Sequence, residues 1–323
     1  MVQQYKVVIT DRAPFPDLEI TKTTLDHIDA ELVECKTDED IRKHVVDADA
    51  VLVTYYEITP ELVDTMERAK IISRQGIGVN NIPLAAAAKN GICVTNVPFY
   101  CLDEVSSHAL ALLLCCARKI PQLNSNVKSK NWDLKAQMPM LRLKGQTVGL
   151  IAYGKIGQEL AKKAQGLGLN VIAHDPYVDA EEMKNCNIAK VDFATLLKES
   201  DFISIHAPLT PETKGMIGTE EFKKMRNTAY IINTARGAII NEAELVEALT
   251  ANEIAGAGLD VLESEVFDPE NPLLEFDNVI LTPHAAFYSE GSLKELQKRA
   301  VDEVVRVLKN EKPDSCVNCD MLE

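Results

Sequence analysis

The chain alternates short apolar runs with segments in which apolar residues recur every three or four positions. Strand-like apolar runs occupy residues 6–10, 31–35, 50–55, 70–75 and 93–97. The intervals leave room for helices, and amphipathic patterns over 38–47 and 59–69 predict two of them. Buried strands that alternate with helices are typical of a parallel sheet covered by helices, so the first hundred residues are predicted to form an α/β unit.

A second alternating region follows a long apolar segment. The segment 103–120 is predicted to be one helix, because acids begin it and Arg118 and Lys119 end it, as the helix dipole favours. Further strand-like runs lie at 147–154, 170–175, 202–208, 229–235, 256–262 and 278–284. A last helix is predicted over about 289–310. The whole pattern predicts an α/β protein with two doubly wound parallel sheets.

Composition and charge narrow the function classes. A length of 323 residues suggests about two domains, and 46% hydrophobic residues are ordinary for a globular protein. A net charge of −15 argues against binding to nucleic acid. The first residues carry early acids and lack the apolar core of a signal peptide, and the longest apolar run, 109–117, is too short to span a bilayer. A cytoplasmic protein without membrane contact is therefore expected.

The eight cysteines do not indicate a disulfide framework in a chain of this length. Cys316 and Cys319 form a Cys-X-X-Cys pair, which can mark a zinc or redox site. No second cysteine pair or nearby histidine accompanies them in the sequence, so free thiols are expected and no metal site is predicted.

Residues 149–177 resemble a dinucleotide-binding fingerprint of strand, glycine turn and helix. Gly154 would let the backbone approach a pyrophosphate, and Gly157 would let the helix pack on the sheet. Asp175 ends the next strand, where a carboxylate binds ribose hydroxyls and repels a 2′-phosphate, which favours NAD over NADP. Ala152 stands where a first glycine is usual, and we expect it at negative φ with a small loss. The turn assigns five residues to the cofactor: Tyr153, Gly154, Lys155, Ile156 and Gly157.

Polar residues follow several later strands, at the sheet edge where α/β proteins place their ligands. Arg236 can hold a carboxylate or polarise a carbonyl, and His284 can exchange a proton near neutral pH. Glu265 can orient the imidazole and favour its protonated form. With a nicotinamide beside them, Arg236, Glu265 and His284 are the residues expected for ketone–alcohol redox chemistry on a small acid.

The sequence resembles the D-isomer-specific 2-hydroxyacid dehydrogenase family along essentially its whole length. The motifs that carry the resemblance are RQGIGVNNI (74–82), GLIAYGKIGQ with HDP (149–176), HAPLTPETKGMIG (206–218), NTARGAIINEAELVEAL (233–249), AGAGLDVLESE (255–265) and TPHAAFYSE (282–290). Within the family, VPFYCLDEV, HAAFYSE and PDSCVN are most similar to the branch that contains the C-terminal-binding-protein corepressors and their bacterial dehydrogenase relatives. Phe287 departs from that branch, which carries tryptophan there.

The resemblance implies roles for individual residues. Arg236 would anchor the carboxylate and keto oxygen of the substrate, His284 would be the acid/base, and Glu265 its partner. The substrate carboxylate would also meet the backbone of Ile77, Gly78 and Val79. Asp175 would bind the adenosine ribose, and Asp260 would lie near the nicotinamide carboxamide. The other implied cofactor residues are Pro176, His206, Ala207, Pro208, Thr213, Thr234, Ala235 and Ala286.

The resemblance also implies the domain organisation and the assembly. A Rossmann cofactor domain, residues 102–289, would be inserted into a flavodoxin-like substrate domain formed by 1–101 and 290–323. We expect an NAD-dependent oxidoreductase that interconverts a small 2-keto acid and its D-2-hydroxy acid, and a homodimer paired through the region of 103–120 and Trp132. The alternative is an NAD(H)-sensing scaffold that binds proteins, as the corepressors do. Phosphite oxidation is disfavoured, because residues 74–82 offer no lysine.

Overall fold

The computed structural model describes residues 4–322. Its strands are β1 (Tyr5–Ile9), β2 (Ala30–Glu34), β3 (Ala50–Val53), β4 (Ile71–Arg74), β5 (Cys93–Thr95), β6 (Thr147–Ile151), β7 (Asn170–His174), β8 (Ala189–Lys190), β9 (Phe202–Ile205), β10 (Tyr230–Asn233), β11 (Gly256–Leu259) and β12 (Val279–Leu281). Its α-helices are α1 (Glu19–Asp26), α2 (Asp38–His44), α3 (Pro60–Asp64), α4 (Leu84–Lys89), α5 (Leu102–Arg118), α6 (Ile120–Lys128), α7 (Lys155–Gly166), α8 (Ala180–Asn185), α9 (Phe193–Glu199), α10 (Thr219–Lys224), α11 (Glu242–Thr250) and α12 (Glu290–Leu308).

The chain divides into two compact units. The first contains the residues up to Tyr100 together with those from Ser289 onward, and the second runs from Cys101 to Tyr288. The second unit is therefore an insertion in the first. Among the described residues, no helix is both long and apolar enough to cross a membrane.

The first unit contains a five-stranded sheet in the order β2-β1-β3-β4-β5. All of its neighbouring strands are parallel. Strand β3 is buried throughout, which explains why its sequence is a continuous apolar run and not an alternating one. The C-terminal helix α12 belongs to this unit, where the Ser73 hydroxyl donates a hydrogen bond to the Ala300 carbonyl oxygen. The strand order is that of flavodoxin-like folds.

The second unit contains a seven-stranded sheet in the order β12-β11-β10-β9-β6-β7-β8. All of its neighbouring strands are parallel. The chain begins this sheet at β6, builds outward to β8, and then crosses to β9 on the other side. Such a switch point is where open α/β sheets bind their ligands, beyond the carboxyl ends of the strands. The prediction of two doubly wound parallel sheets, one of them of Rossmann type, is confirmed.

The helix predicted for 103–120 is shorter than expected, and a second helix follows it. Helix α5 ends at Arg118, because Lys119 adopts a left-handed conformation with φ of 51°. Pro121 lies in the first turn of α6, where its missing N–H costs nothing. None of the residues of α6 is buried. The predicted helix is therefore present but ends two residues early, because one left-handed residue redirects the chain there.

The expectation of free thiols at Cys316 and Cys319 was also wrong. The two residues form a disulfide, with their Cα atoms 5.6 Å apart. The tail that carries them lies against β5, where the Val317 N–H donates to the Val94 carbonyl oxygen. The side chain of Asn318 pins the same segment, accepting from the Val94 N–H at 2.8 Å and donating to the Ile92 carbonyl oxygen at 2.9 Å.

Candidate active site

The turn after β6 is built around Ala152, whose φ is +72°. The expectation of a negative φ was therefore wrong. The Ala152 N–H donates to the His174 carbonyl oxygen, and the Tyr153 N–H donates to the Asp175 carboxylate at 2.8 Å. These bonds to the adjacent strand fix the backbone in the left-handed region, which costs an L-residue about 1–2 kcal/mol.

Helix α7 begins directly after this turn. Gly154 is its N-cap residue and no side chain caps the helix, so the N-terminal amides are available to a phosphate. A Cβ on Gly154 would meet no atom within 4 Å, whereas a Cβ on Gly157 would lie 2.8 Å from the Ala152 carbonyl oxygen. Gly154 therefore leaves open space in front of the helix, and Gly157 is required for the packing of helix on turn.

Asp175 is buried at the end of β7 with both carboxylate oxygens engaged. Oδ2 accepts from the Tyr153 N–H, and Oδ1 accepts from the N–H groups of Tyr177 and Val178 at 2.8 and 3.3 Å. The carboxylate thus ties the glycine turn to the loop after β7. Pro176 is an exposed residue of that loop.

Residues after β9 form the next part of the carboxyl edge of the seven-stranded sheet. The Thr213 hydroxyl donates to the Pro208 carbonyl oxygen at 2.6 Å and closes the turn that follows His206 and Ala207. Burial lowers the pKa of His206, so its ring is neutral at pH 7, and it shares a hydrogen bond with the Ser204 hydroxyl. A neutral ring suits the neighbourhood of an adenine.

The loop after β10 shapes the position of Arg236. Asn233 accepts from the Ala235 N–H and donates to the Arg236 carbonyl oxygen, which folds the loop back on the strand. The Arg236 guanidinium donates to the Ala235 carbonyl oxygen and makes no ion pair within residues 4–322. A Cβ on Gly237 would lie 1.9 Å from the Leu262 backbone, so only glycine lets this loop approach the one that leads to Glu265.

His284 and Glu265 form a close pair in this unit. The His284 Nδ1 lies 2.9 Å from each oxygen of the Glu265 carboxylate. The engaged Nδ1 leaves Nε2 as the nitrogen that can meet a substrate. Phe287 packs its ring edge to face with the imidazole, the centroids 6.0 Å apart. His284 itself has φ of 50°, a conformation that is uncommon for a residue with a Cβ.

Asp260 holds the turn that carries His284. Its Oδ1 accepts from the Thr282 hydroxyl at 2.5 Å and from the Ala285 N–H at 2.9 Å, and its Oδ2 accepts from the Ala286 N–H at 2.9 Å. The His284 N–H donates to the Asp260 carbonyl oxygen at 2.8 Å. The buried Asp260 side chain thus positions the turn that carries His284.

The segment Ile77–Val79 lies in the first unit, after β4. The Asn96 side chain donates to the Ile77 carbonyl oxygen at 2.7 Å, and the Val97 N–H donates to the Gly76 carbonyl oxygen at 2.9 Å. The residues after β5 therefore hold the loop that the resemblance assigns to a substrate carboxylate.

Two positioning residues were missed from the sequence, Asn96 and Glu242. The Glu242 carboxylate accepts from the Glu263 N–H at 2.9 Å and from the Asn271 side chain at 2.7 Å, and so fixes the base of the Glu265 loop. No sequence signal marks either residue, because an acid in a first helical turn and an asparagine after a strand are common on any surface.

The structure fits a dinucleotide in the second unit. The Thr234 hydroxyl is buried and has no hydrogen-bond partner within residues 4–322, as expected for a group that meets a ligand. The open space at Gly154 and the uncapped helix α7 suit a pyrophosphate. Fold and site together define a dinucleotide-binding α/β protein with a paired histidine and glutamate at the carboxyl ends of its strands.

Comparison with known proteins identifies the family. Residues 110–286 match the model of the D-isomer specific 2-hydroxyacid dehydrogenase NAD-binding domain. The glyoxylate reductase of Thermococcus litoralis is 39% identical over 86% of this chain and 85% of its own length. The D-lactate dehydrogenase of Aquifex aeolicus, solved with NAD and lactic acid, superposes with a TM-score of 0.89 at 29% identity, over 97% of this chain and 99% of the other. The chain belongs to the D-isomer-specific 2-hydroxyacid dehydrogenase family, and its cofactor is NAD, as predicted.

Some relatives are much longer. The D-3-phosphoglycerate dehydrogenase of Archaeoglobus fulgidus is 39% identical over 90% of this chain. The chain spans only 56% of the length of that relative.

Proposed function

We propose that this protein is an NAD-dependent oxidoreductase that interconverts a small 2-keto acid and its D-2-hydroxy acid. The observation that carries the proposal is the His284–Glu265 pair, in which Nδ1 is held by the carboxylate and Nε2 is left for a substrate. This is the arrangement in which one group orients a general acid/base and the other exchanges the proton.

The proton chemistry follows from the pair. The bound cofactor supplies or accepts the hydride. In reduction, His284 donates a proton from Nε2 to the carbonyl oxygen, which would otherwise remain on the product as an alkoxide. In oxidation, the neutral ring removes the hydroxyl proton. The Glu265 carboxylate holds Nδ1 and so keeps Nε2 as the nitrogen that exchanges the proton.

Arg236 is assigned to substrate binding. Its guanidinium makes no ion pair within the described residues, so it can meet the carboxylate and keto oxygen of the substrate in bidentate fashion. The backbone of Ile77, Gly78 and Val79 is also proposed to take part in substrate binding. Within residues 4–322, no feature favours the alternative of a protein-binding scaffold over catalysis.

The substrate class can be tested directly. We expect reduction of glyoxylate, hydroxypyruvate or pyruvate by NADH in steady-state assays, because a relative of comparable length is named glyoxylate reductase. Arg236→Ala should raise KM and lower kcat together, since it removes contacts made in ground and transition states. Arg299→Ala, which changes an exposed arginine of α12, is the control and should leave both unchanged. Failure to turn over any 2-keto acid would overturn the proposal.

Cofactor preference is a second part of the proposal. Asp175 would place a carboxylate beside the adenosine ribose, so a 2′-phosphate would meet a like charge. We expect kcat/KM to be higher with NADH than with NADPH. Equal or better use of NADPH would contradict this assignment of Asp175.

A homodimer is proposed from the exposed apolar residues that follow α5. Trp132 is 90% exposed, which excludes packing on its own subunit. Other exposed apolar side chains lie nearby in sequence: Ile120, Val127, Leu134, Met138 and Leu141. Apolar exposure on this scale is typical of a protein–protein interface. Sedimentation should show a dimer at micromolar concentration, and Trp132→Glu should shift it toward monomer, whereas a wild-type monomer would refute the proposal.

A further inference from the structure

Three cysteine sulfurs converge at one end of the first unit, in a place that the proposed reaction does not use. Cys93 is buried on β5, Cys316 is half-buried, and Cys319 is exposed. All three Sγ atoms lie within 4.8 Å of one another. The Sγ atoms of Cys93 and Cys316 are 3.6 Å apart, while Cys316 and Cys319 form a disulfide.

The fold brings these residues together through the docking of the tail. The tail pairs antiparallel with β5, with Cys316 opposite Thr95. In an antiparallel pair Cys93 and Thr95 point to one face, so Cys316 becomes the diagonal neighbour of Cys93 on that face. The short turn through Asn318, which is bonded to both flanks of Cys93, returns Cys319 to the same position.

The surroundings of the cluster include a buried acidic residue. Glu303 is close enough to Cys93 to interact with it electrostatically, and its carboxylate oxygens accept from the Asp314 N–H at 3.2 and 3.0 Å. A carboxylate near the buried sulfur attracts a cation to this position.

We propose that reduction of the Cys316–Cys319 disulfide opens a binding site for a thiophilic divalent cation such as Zn²⁺, held by the thiolates of Cys93, Cys316 and Cys319. Two equivalents of a thiol reductant break the S–S bond, leaving two cysteine thiols and the disulfide of the reductant. Binding then forms three metal–sulfur bonds and releases the three thiol protons to solvent. In the oxidised form two of the three ligands are consumed by the disulfide, so the site is closed.

The distances suit such a cation. Two thiolates on a tetrahedral zinc ion, each with a Zn–S bond of about 2.3 Å, lie about 3.8 Å apart. The Cys93 and Cys316 sulfurs are already 3.6 Å apart. Cys319 needs only to swing away from Cys316 once the disulfide is broken, and it is exposed and therefore has room to do so. The exposed side leaves a fourth position for water. Soft thiolates select zinc-like cations over magnesium or calcium.

The test uses the full chain in two redox states. The protein is reduced with a phosphine, which becomes phosphine oxide by taking oxygen from water, and is desalted without oxygen. Zn²⁺ is then titrated against a chromophoric chelator, and native mass spectrometry counts the bound ions. We expect one equivalent in the reduced protein and none in the oxidised protein. Bound Zn²⁺ should also protect Cys93, Cys316 and Cys319 from alkylation in a peptide map.

Single substitutions separate this site from adventitious binding. Cys93→Ser and Cys319→Ser should each weaken Zn²⁺ binding by at least about 100-fold. Loss of a residue that only supports a metal ligand lowers the affinity by about 10–100-fold, and loss of the ligand itself should cost more. Cys186→Ser is the matched control, since Cys186 is an exposed free cysteine in the second unit, and it should change nothing. Cys319 is exposed, so its substitution keeps the test valid if Cys93→Ser fails to fold.

Three results would overturn the proposal. The first is a reduced wild-type protein that takes up no Zn²⁺ at micromolar concentration. The second is Cys93→Ser protein that folds and binds as tightly as wild type, because the Cys-X-X-Cys pair would then act alone. The third is equal binding by the oxidised protein. None of these measurements depends on reductase activity, so they are independent of the proposed function.

Discussion

The turns at Ala152 and His284 have the same construction and different purposes. Each residue has a positive φ and directly follows a strand or its short extension at the carboxyl edge of the seven-stranded sheet. In each case the next residue donates its N–H to a buried aspartate that directly follows the neighbouring strand, Asp175 beside Ala152 and Asp260 beside His284.

The two aspartates differ in how much of the turn they hold. Asp260 commits both carboxylate oxygens to residues 282–286, and its backbone oxygen accepts the His284 N–H. Asp175 commits one oxygen to the turn at Ala152 and the other to its own loop. The His284 turn is therefore fixed more completely.

The two turns also differ in whether the strained, left-handed backbone places a functional side chain. The left-handed conformation at residue 284 brings the imidazole to Glu265, so a glycine there would lose this contact. At residue 152 the side chain is a methyl group that makes no hydrogen bond. The strained backbone at Ala152 only lowers the stability of the fold, whereas at His284 it also places the imidazole beside Glu265.

The largest effect is expected from His284→Ala, which removes the imidazole from the turn at His284. Reduction should lose kcat by about 10²–10⁴-fold, the usual range for a general acid, with binding of NADH nearly unchanged. Stopped-flow or steady-state kinetics and a fluorescence titration with NADH measure the two quantities. A loss of cofactor binding equal to the loss of rate would contradict the assigned role.

Next in size is the matched pair Asp260→Asn and Asp175→Asn. An amide NH₂ cannot accept the bonds that a carboxylate oxygen accepts, and each buried donor left unpaired costs about 1–3 kcal/mol. Asp260→Asn should lower the free energy of unfolding by roughly 2 kcal/mol and lower kcat as well, because the His284 turn relaxes. Asp175→Asn should leave kcat at saturating NADH largely intact. Denaturant-induced unfolding and steady-state kinetics of both variants test whether Asp260 matters more for catalysis than Asp175.

A smaller effect is expected from Glu265→Gln, which leaves the His284 turn intact. The Glu265 carboxylate holds His284 Nδ1 through two oxygens, and glutamine offers that nitrogen only one. The imidazole should therefore be held less firmly, and kcat for reduction should fall by less than in His284→Ala. Binding of NADH should be unaffected. A wild-type kcat in the glutamine variant, measured by steady-state kinetics, would mean that Glu265 does not position the histidine.

The smallest effect is a gain in stability from Ala152→Gly. Relief of a left-handed L-residue recovers about 1–2 kcal/mol, and the added freedom of glycine in the unfolded chain removes up to about 1 kcal/mol of it. The free energy of unfolding should therefore rise by about 0.5–1 kcal/mol. Ala251→Gly is the control, because its φ is −77° and glycine should destabilise it. A loss of stability in Ala152→Gly would show that the turn is not strained.

The sequence predicted the sheets because their strands are apolar runs. It also predicted the contact between Glu265 and His284, because polar residues at strand ends are conspicuous, while the role of Arg236 stays a prediction. It did not predict the φ of Ala152, which depends on hydrogen bonds to His174 and Asp175 on another strand. The Cys316–Cys319 disulfide was missed for a related reason. Spacing alone does not distinguish a disulfide from two thiols, and the contact with Cys93 arises only when the tail docks.

The docking of the tail on β5 also bears on how copies of this chain behave toward one another. β5 is the last strand of its sheet, and such a strand offers unpaired amides and carbonyls to any passing chain. Val317 and Asn318 occupy the Val94 amide and carbonyl, and Ser315 occupies the Asn96 amide. The segment 315–318 thus covers this edge of the sheet, and its removal would expose β5 to pairing with strands of other molecules.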